Sequence, residues 1–355
     1  MLLKSLQGVV GVFPLDDLTA NTFASGMRGK DGKSNSLLDN LEPNSILLFK
    51  DFTTIIAKED IARGQIIGQM RKIYDGDFRK QTGAGTGTDW QGRLSVLAGT
   101  TEKIYPSMGM FGAMGERFLM WDLDQPNDRE VAKLAAQNLD DGPATAQMTA
   151  AFAEFLNNFP LPVDIKRVDE KTENQIVDLA VFVCKARTPV ERRKYHRDSP
   201  IEQVYRPEQP PRFVKQILGF GLGLQALSGG ALTDDDRHIL CKMALDSIPS
   251  IRRKCLQALT QYNEVETRGL AGRMKYPVET IRMHLQDLAA MRVIEFSTAA
   301  NRDRWRIKDE YRGLMEVYEG LLSIVDILQD DEPVGEAPPP TKQDVEVIDI
   351  ESDSP

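Results

Sequence analysis

The spacing of apolar residues changes character several times along the chain. Ser45–Phe52 contains an unbroken apolar run, Ile46-Leu47-Leu48-Phe49, and a run of that length bounded by turn residues predicts a buried strand. In Ile61–Tyr74, Ile66, Ile67, Met70 and Ile73 recur at three- and four-residue spacing, which predicts a helix. Phe78–Leu97 predicts a hairpin with a glycine-rich tip at residues 83–87, followed by a strand in Arg93-Leu-Ser-Val-Leu-Ala-Gly99. A short turn or helix then leads to another expected strand, Phe118–Leu123. Strands and a helix in this order predict an α/β fold with a mostly parallel sheet. Leu2, Leu3 and Leu6 add a helical spacing at the start.

Beyond residue 126 the pattern turns helical. Asn127–Arg187 predicts helices broken near Pro160-Leu161-Pro162. Its clearest piece is Glu173–Arg187, with Ile176, Val177, Leu179, Ala180 and Val183 on one side. Thr188–Pro211 reads as an irregular, polar, proline-punctuated loop. Arg212–Ser228 and Asp234–Asp246 return to helix, the second opened by the capping run Thr233-Asp-Asp-Asp. Three further helices follow in Pro249–Gln261, Thr267–Met274 and Pro277–Met291. Two short strands, Val293–Phe296 and Trp305–Ile307, are joined by a polar loop. Four segments result: an α/β core at 1–126, a helical region at 127–246 containing the polar loop 188–211, a helix-and-strand domain at 247–320, and a short helix with a tail at 321–355. From Asp330 to Pro355 the chain is acidic, proline-rich and nearly free of aromatics, which predicts disorder.

Charge changes this picture in one respect. The net charge is −9 over the chain, but Asp330–Pro355 carries nine acids against one lysine, or −8. The body is therefore near −1, and within it Pro249–Gly320 carries thirteen Lys/Arg against ten Asp/Glu, or +3. No apolar run reaches membrane-spanning length. Cys184, Cys241 and Cys255 are odd in number and widely spaced, which fits neither a disulfide framework nor a zinc site and predicts a reducing, cytoplasmic setting.

Candidate chemistry begins with Asp51 at the end of the Ile46–Phe49 run. An acid at the C-terminal edge of a buried strand can hold Mg²⁺ beside phosphates. A second strand ends in Thr100-Thr101, whose hydroxyls could reach the same place. A third feature is Gly115-Glu116-Arg117-Phe118, before an apolar stretch carrying Asp122 and Asp124. In that order these features resemble the AAA+ ATPases, and within them the minichromosome-maintenance helicases. The layout resembles still more the ring ATPases of phages and mobile elements that carry a helix-turn-helix after the ATPase core. The resemblance covers roughly residues 1–250 and implies a P-loop α/β core with a helical lid, ATP and Mg as ligands, and a homo-oligomeric ring. It implies Asp51 on Mg, Thr100 or Thr101 as a phosphate sensor, and Arg117 reaching a neighbouring subunit's ATP. Arg212, after Pro210-Pro211, would be a second sensor, and Arg79 and Lys80 would grip single-stranded DNA from a pore hairpin. Three departures stand against the pattern. Phe52 occupies the place of the second acid, and Glu116 and Leu119 replace the expected serine and aspartate around Arg117. No G-x-x-x-x-G-K-[ST] loop occurs in the 355 residues. Either that loop is expected upstream of Met1, or the chain lacks it; in both cases the core as given is truncated.

Three helices followed by two strands form the pattern of a winged helix-turn-helix. Its third helix, with Ile281, Leu285 and Leu288 inward, would present Thr280, Arg282, Met283 and Gln286 to DNA. Arg302, Arg304 and Arg306 would load the wing. Glu279 and Asp287 on the same helix work against DNA. Two other stretches invite partners. Lys185–Arg197 interleaves basic residues with Tyr195 and His196, and could track nucleic-acid backbone or form a solvated loop. Val345–Ile350 mixes aliphatics with acids, and could add a strand to a partner's sheet. Two functions compete: a DNA-associated, helicase- or replication-like ATPase of a phage or mobile element, and a non-catalytic winged-helix DNA-binding regulator on a degenerate ATPase scaffold.

Overall fold

The structure, a computed structural model, describes residues 2–321 apart from residues 8, 10, 28–33, 43, 82–86, 108–116, 124–127, 141, 160–166, 194–198, 263, 300 and 301. It is mixed α/β with a small parallel sheet. Helix α1 (Leu2–Ser5) precedes strand β1 (Val12–Leu15); β2 (Ile46–Phe49) follows, then α2 (Thr53–Ile56) and α3 (Asp60–Tyr74). β3 (Asp77–Gln81) and β4 (Gly87–Gln91) form an antiparallel hairpin, and β5 (Ser95–Ala98) completes the set. The sheet order is β1-β2-β5, all parallel, with Val12 opposite Ile46 and Ile46 opposite Ser95. The apolar run of β2 places it in the middle, with Leu47, Leu48 and Phe49 buried. β1 was not foreseen, because four residues interrupted by Pro14 make a weak strand signal. Proline is tolerated there because β1 is an edge strand. Ile66, Ile67, Met70 and Ile73 of α3 are buried in the core beside Phe23, Leu47 and Phe49, as their spacing predicts. Gly99 lets β2 and β5 close together at their C-terminal ends. A Cβ there would lie 2.8 Å from the Lys50 carbonyl oxygen.

Helices α4 (Asp128–Gln137) and α5 (Gly142–Asn158) present no buried side chain among the described residues. α6 (Glu170–Ala186) is capped by Asp169, whose side chain accepts from the Thr172 N–H. It buries Ile176, Leu179, Ala180 and Val183, but Val177 of the expected apolar side is exposed. The 188–211 segment, expected to be irregular, instead contains a hairpin of β6 (Val190–Arg192) and β7 (Ile201–Val204). α7 (Pro211–Leu227) and α8 (Asp234–Asp246) follow, the latter opened by a reciprocal capping box between Thr233 and Asp236. α9 (Ser250–Tyr262), β8 (Val265–Glu266), α10 (Thr267–Met274), α11 (Val278–Ala290), β9 (Ile294–Ala299), β10 (Arg302–Ile307) and α12 (Asp309–Leu321) complete the order. Here the three helices pack against an antiparallel sheet of order β8-β10-β9, in which β8 was not foreseen. Trp305 locks the sheet to α10 by donating its indole N–H to the Thr267 hydroxyl at 2.9 Å. One buried cluster runs from Ile176 to Met315, continuous across the expected boundary at residue 246.

The two apolar clusters meet along residues 117–123. A strand was expected at Phe118–Leu123; the segment joins no sheet. The alternation that suggested a strand has another role. Phe118 and Met120 pack against the N-terminal cluster, while Leu119 packs against the C-terminal one. The segment is fastened at both ends. The Gln216 amide donates to the Arg117 carbonyl at 2.5 Å, and the Ser247 hydroxyl accepts from the Met120 N–H at 3.3 Å. The Asp122 N–H donates to Asp246 at 2.8 Å. The Asp122 carboxylate accepts from the Tyr105 hydroxyl at 2.7 Å and from Arg253 at 2.5 Å. Arg253 also pairs with Asp246, which Lys242 contacts at 2.8 Å. Burial and the Asp122 charge together push the Tyr105 hydroxyl above its ordinary range. Asp122→Ala should cost about 2 kcal/mol, the scale of hydrogen bonds to a charged group. Single-tryptophan variants retaining Trp90 or Trp305 report the two cores separately. Their urea transitions should coincide in the parent protein and separate once Asp122 is replaced. An unchanged midpoint with coincident transitions would refute the bridging role.

Candidate functional site

The C-terminal edge of the parallel sheet gathers the residues expected around a nucleotide. Asp51 follows β2, and its carboxylate accepts from the Thr53 N–H at 2.8 Å. Thr53 Oγ1 lies 3.4 Å from Thr101 Oγ1, which follows the neighbouring β5. The Phe52 N–H donates to the Gly99 carbonyl at 2.7 Å and fixes the two strand ends side by side. Thr100 donates to the Thr101 carbonyl at 3.3 Å. After β1, Asp16 and Asp17 pair with Lys50 at 3.1 Å and Lys58 at 2.9 Å; the Lys58 bond holds Asp17 below the usual carboxylate range. Ligands of open α/β sheets bind at this edge. Asp51 and the threonine hydroxyls fit the metal-facing side of such a site. They do not fit a triphosphate by themselves, because a phosphate cradle needs converging backbone N–H groups and a lysine; the G-x-x-x-x-G-K-[ST] spacing does not occur in the chain, and Gly32-Lys33 of the run Gly32-Lys33-Ser34 lie outside the described residues. Among the described residues no cluster of three or more His, Cys, Asp or Glu could hold a metal ion.

The other expected nucleotide residues lie elsewhere. Arg117 forks onto Asp75, just past the end of α3, at 2.7 and 3.1 Å and stacks over Tyr74. The fifteen residues of α3 rise about 22 Å from the Asp51 edge to that point. Arg117 borders a cavity of about 480 Å³ between α3, the outer side of β5 and α7, lined mainly by Met70, Tyr74, Val96, Phe118 and Phe220. Arg212 sits in the first turn of α7, and among the described residues no hydrogen bond or ion pair ties it to Asp51 or Arg117. On the β3–β4 hairpin, Arg79 is exposed between Asp77 at 3.4 Å and Asp89 at 3.5 Å. Lys80 turns back into the protein and donates to the carbonyls of Ala20 and Ala24, each at 3.2 Å, and to Asn21 at 3.1 Å. Those bonds use all three of its N–H donors. Glu116 and Asp124, residues 83–86 of the expected hairpin tip, Tyr195, His196 and Val345–Ile350 lie outside the described residues.

The C-terminal domain brings the expected nucleic-acid residues together. Ile281, Leu285 and Leu288 are buried, and Glu279, Thr280, Arg282, Met283 and Gln286 lie on the remaining faces of α11. Each of the four expected arginines has an acidic neighbour. Arg282 pairs with Glu279 and lies 4.0 Å from Asp303; Arg302 meets Glu266 at 3.3 Å, Arg304 meets Glu264 at 2.7 Å, and Arg306 meets Glu295 at 2.6 Å. These bonds raise Arg304 and Arg306 above the ordinary guanidinium value.

Two arginines meet at Asp287 of α11: Arg252, which sequence reasoning did not assign, and Arg192, from the Lys185–Arg197 run expected to track nucleic-acid backbone or to be solvated, which is instead turned inward onto Asp287. Arg252 of α9, buried, donates to Asp287 at 2.9 Å and to the Thr188 carbonyl at 2.7 Å. Burial pulls its guanidinium below the ordinary value while Asp287 opposes the shift. Arg192 of β6 donates to the other Asp287 oxygen at 2.7 Å and to the Met283 carbonyl at 2.8 Å, with Gln286 at 3.4 Å. Nothing in the spacing of Val190-Glu-Arg192 announces this contact, which joins residues 95 positions apart.

No protein-family model matches the chain, and no curated protein matches it.

His284, on the same helix, has a buried Nδ1 with no hydrogen-bond partner. Burial, and then the Arg252 charge, push the imidazole down to about 4, against about 6.5 in an unfolded chain. As pH falls below about 6.5 the unfolded chain protonates first, so stability is lost progressively down to about 4. Between pH 7 and pH 5 this residue should remove about 2 kcal/mol, and His284→Gln should lack that component. Urea titrations of both proteins at the two pH values check it; parallel losses would refute the assignment.

Proposed function

We propose that this chain is a DNA-associated protein of the AAA+ type, contacting duplex DNA through a winged helix-turn-helix at residues 247–320. The observation that carries the reading is the packing of α9, α10 and α11 against the β8-β10-β9 sheet. It leaves Thr280 and Arg282 of the third helix beside an arginine-bearing β-ribbon. A helix so placed enters the major groove, while the ribbon follows the phosphates. The paired state of the ribbon arginines sets the strength: each must exchange a carboxylate for a phosphate, so binding is weak and salt-sensitive. The setting that fits the resemblance is replication or maintenance of a phage or mobile element, with the α/β body assembling as a homo-oligomeric ring.

A second reading adds nucleotide chemistry, and the adjacency of Asp51 and Thr101 across neighbouring parallel strands favours it. In that reading Asp51 orients Mg²⁺, Thr100 and Thr101 contact the γ-phosphate, and Arg117 and Arg212 act on charge at phosphates across subunits. The absence of the full G-x-x-x-x-G-K-[ST] spacing argues that residues 1–355 alone bind ATP weakly. A fluorescent ATP analogue should therefore show no micromolar affinity; micromolar binding would overturn that expectation. If no nucleotide is used at all, the remaining reading is a non-catalytic DNA-binding regulator on an ATPase-like scaffold.

The DNA contact is tested by fluorescence anisotropy of the full chain on duplex DNA across a salt series. Arg302→Ala, Arg304→Ala and Arg306→Ala combined should weaken binding equally on all sequences. Glu264→Gln, Glu266→Gln and Glu295→Gln combined should tighten it and steepen the salt dependence by up to about 0.9 in log–log slope per arginine released. If both triple variants bind as the parent does, the ribbon does not contact DNA.

A further inference from the structure

We propose that the exposed side of α10, with the parts of α9 that adjoin it, is a second basic face that binds single-stranded nucleic acid. It uses neither the outer residues of α11 nor the ribbon arginines. The inference goes beyond the duplex reading and does not depend on it.

Residues 249–320 carry a surplus of positive charge, and the ion pairs show where it does not lie. Arg282, Arg302, Arg304 and Arg306 each face a carboxylate. Arg252 is taken by Asp287, and Arg253 by Asp122 and Asp246. Among the described residues no hydrogen bond or ion pair ties the side chains of Lys254, Arg268, Arg273 or Lys275. The acids nearest to α10 in the sequence, Glu264, Glu266 and Glu279, are held by Arg304, Arg302 and Arg282. A phosphate that meets these four cations therefore displaces no carboxylate, whereas one that meets the ribbon must.

The four cations and two tyrosines share one surface. α10 buries Thr267, Leu270, Ala271 and Met274, so the helical repeat turns Arg268 and Arg273 outward on either side of Gly269 and Gly272. No side chain of α10 rises between the two guanidinium groups. Just past the helix the chain folds back: the Lys275 N–H donates to the Gly272 carbonyl at 3.2 Å, and the Tyr276 N–H to the Ala271 carbonyl at 3.1 Å. Two cation–ring contacts join this segment to α9. Arg273 lies 4.1 Å from the centre of the exposed Tyr262 ring, and Lys254 lies 5.7 Å from that of the half-buried Tyr276. Side chains held over rings are already positioned, so ordering them on a ligand costs less. Basic groups that follow a backbone, beside aromatic surface on which a base stacks, are the chemistry of a single-strand site. A duplex keeps its bases stacked on one another and offers no face to a tyrosine. Lys275 itself holds a left-handed backbone, φ 55°, at the helix end, where glycine is the residue without strain.

The test is fluorescence anisotropy of the full chain on a labelled oligothymidylate and on duplex DNA, each across a salt series. The parent should bind the single strand. Arg268→Gln combined with Arg273→Gln should flatten the single-strand log–log salt slope by about 1.4, two phosphate contacts at about 0.7 each. Tyr262→Leu should weaken single-strand binding about tenfold, the scale of one lost stacking contact, and leave duplex binding unchanged. Lys275→Gly separates binding from folding. It relieves the left-handed backbone, so its thermal melt should not fall below the parent's while single-strand affinity drops. The combined Arg302→Ala, Arg304→Ala and Arg306→Ala variant should bind the single strand as the parent does. No single-strand binding by the parent at low salt overturns the proposal, and so do α10 variants that bind like the parent. Equal losses on both DNA forms for Tyr262→Leu overturn the single-strand assignment. Single-strand binding lost in the ribbon variant alone belongs to the ribbon and overturns the second face, while the duplex reading stands. Single-strand binding that appears only once Asp330–Pro355 is removed means that the acidic tail occupies the face, which also overturns the proposal. Absence of duplex binding, with the single-strand results as expected, removes the duplex reading and leaves the second face in place.

Discussion

Asp122 is the constraint on which the assembly of the two bodies depends. Its backbone N–H reaches α8 through Asp246, and its carboxylate reaches Tyr105 of the N-terminal body and Arg253 of α9. A carboxylate half-removed from water needs such partners, since an unpaired one would be expensive. The same partners come from three separate parts of the chain, so satisfying the charge fixes their mutual position. The alternation of Phe118, Leu119 and Met120 between two apolar clusters then follows, because an extended segment presents its side chains to opposite sides.

Pairing also decides what the charge pattern means. Residues 249–320 sum to +3, which suggests a mildly basic surface, yet every ribbon arginine has an acid within hydrogen-bonding or ion-pair distance. Exposed pairs of this kind contribute little to stability. Their effect is on availability: a phosphate must displace a carboxylate that is already in place. Arg192 and Lys80 show the stronger form of the same effect, for each is turned onto acceptors of its own chain.

Legibility in the sequence followed the range of the interaction. α3 and α11 were readable because four and three apolar residues at helical spacing determine a buried face locally. β2 and β5 were readable as strands, and their order in the chain placed Asp51 and Thr101 at one edge. The ends of β6 and β7 were not readable. Glu191, Glu202 and Gln203 break the apolar pattern, prolines surround the segment, and the hairpin meets α11 through an arginine 95 residues from its partner. Residues 118–123 were half readable. Their alternation is real, but whether an extended segment enters a sheet depends on a neighbouring strand, and its own residues cannot announce one. The partners of Arg117 and Lys80, Asp75 and the 20–24 turn, are likewise set by tertiary packing.

The two sides of the parallel sheet are unequal. On β1, the Ile46 N–H bonds to the Gly11 carbonyl, so Val12 and position 14 direct their nitrogens away from β2. Val12 already donates to the Val9 carbonyl, and Pro14 has no N–H to give. That side presents no free donor to a further strand. On β5, Ser95 and Gly99 donate inward to Ser45 and Phe49, which directs the N–H groups of Val96 and Ala98 outward, toward the side where Ser95, Val96 and Leu97 line the cavity. Among the described residues the two edges therefore differ in kind: β5 offers outward N–H donors, and β1 offers only carbonyl acceptors.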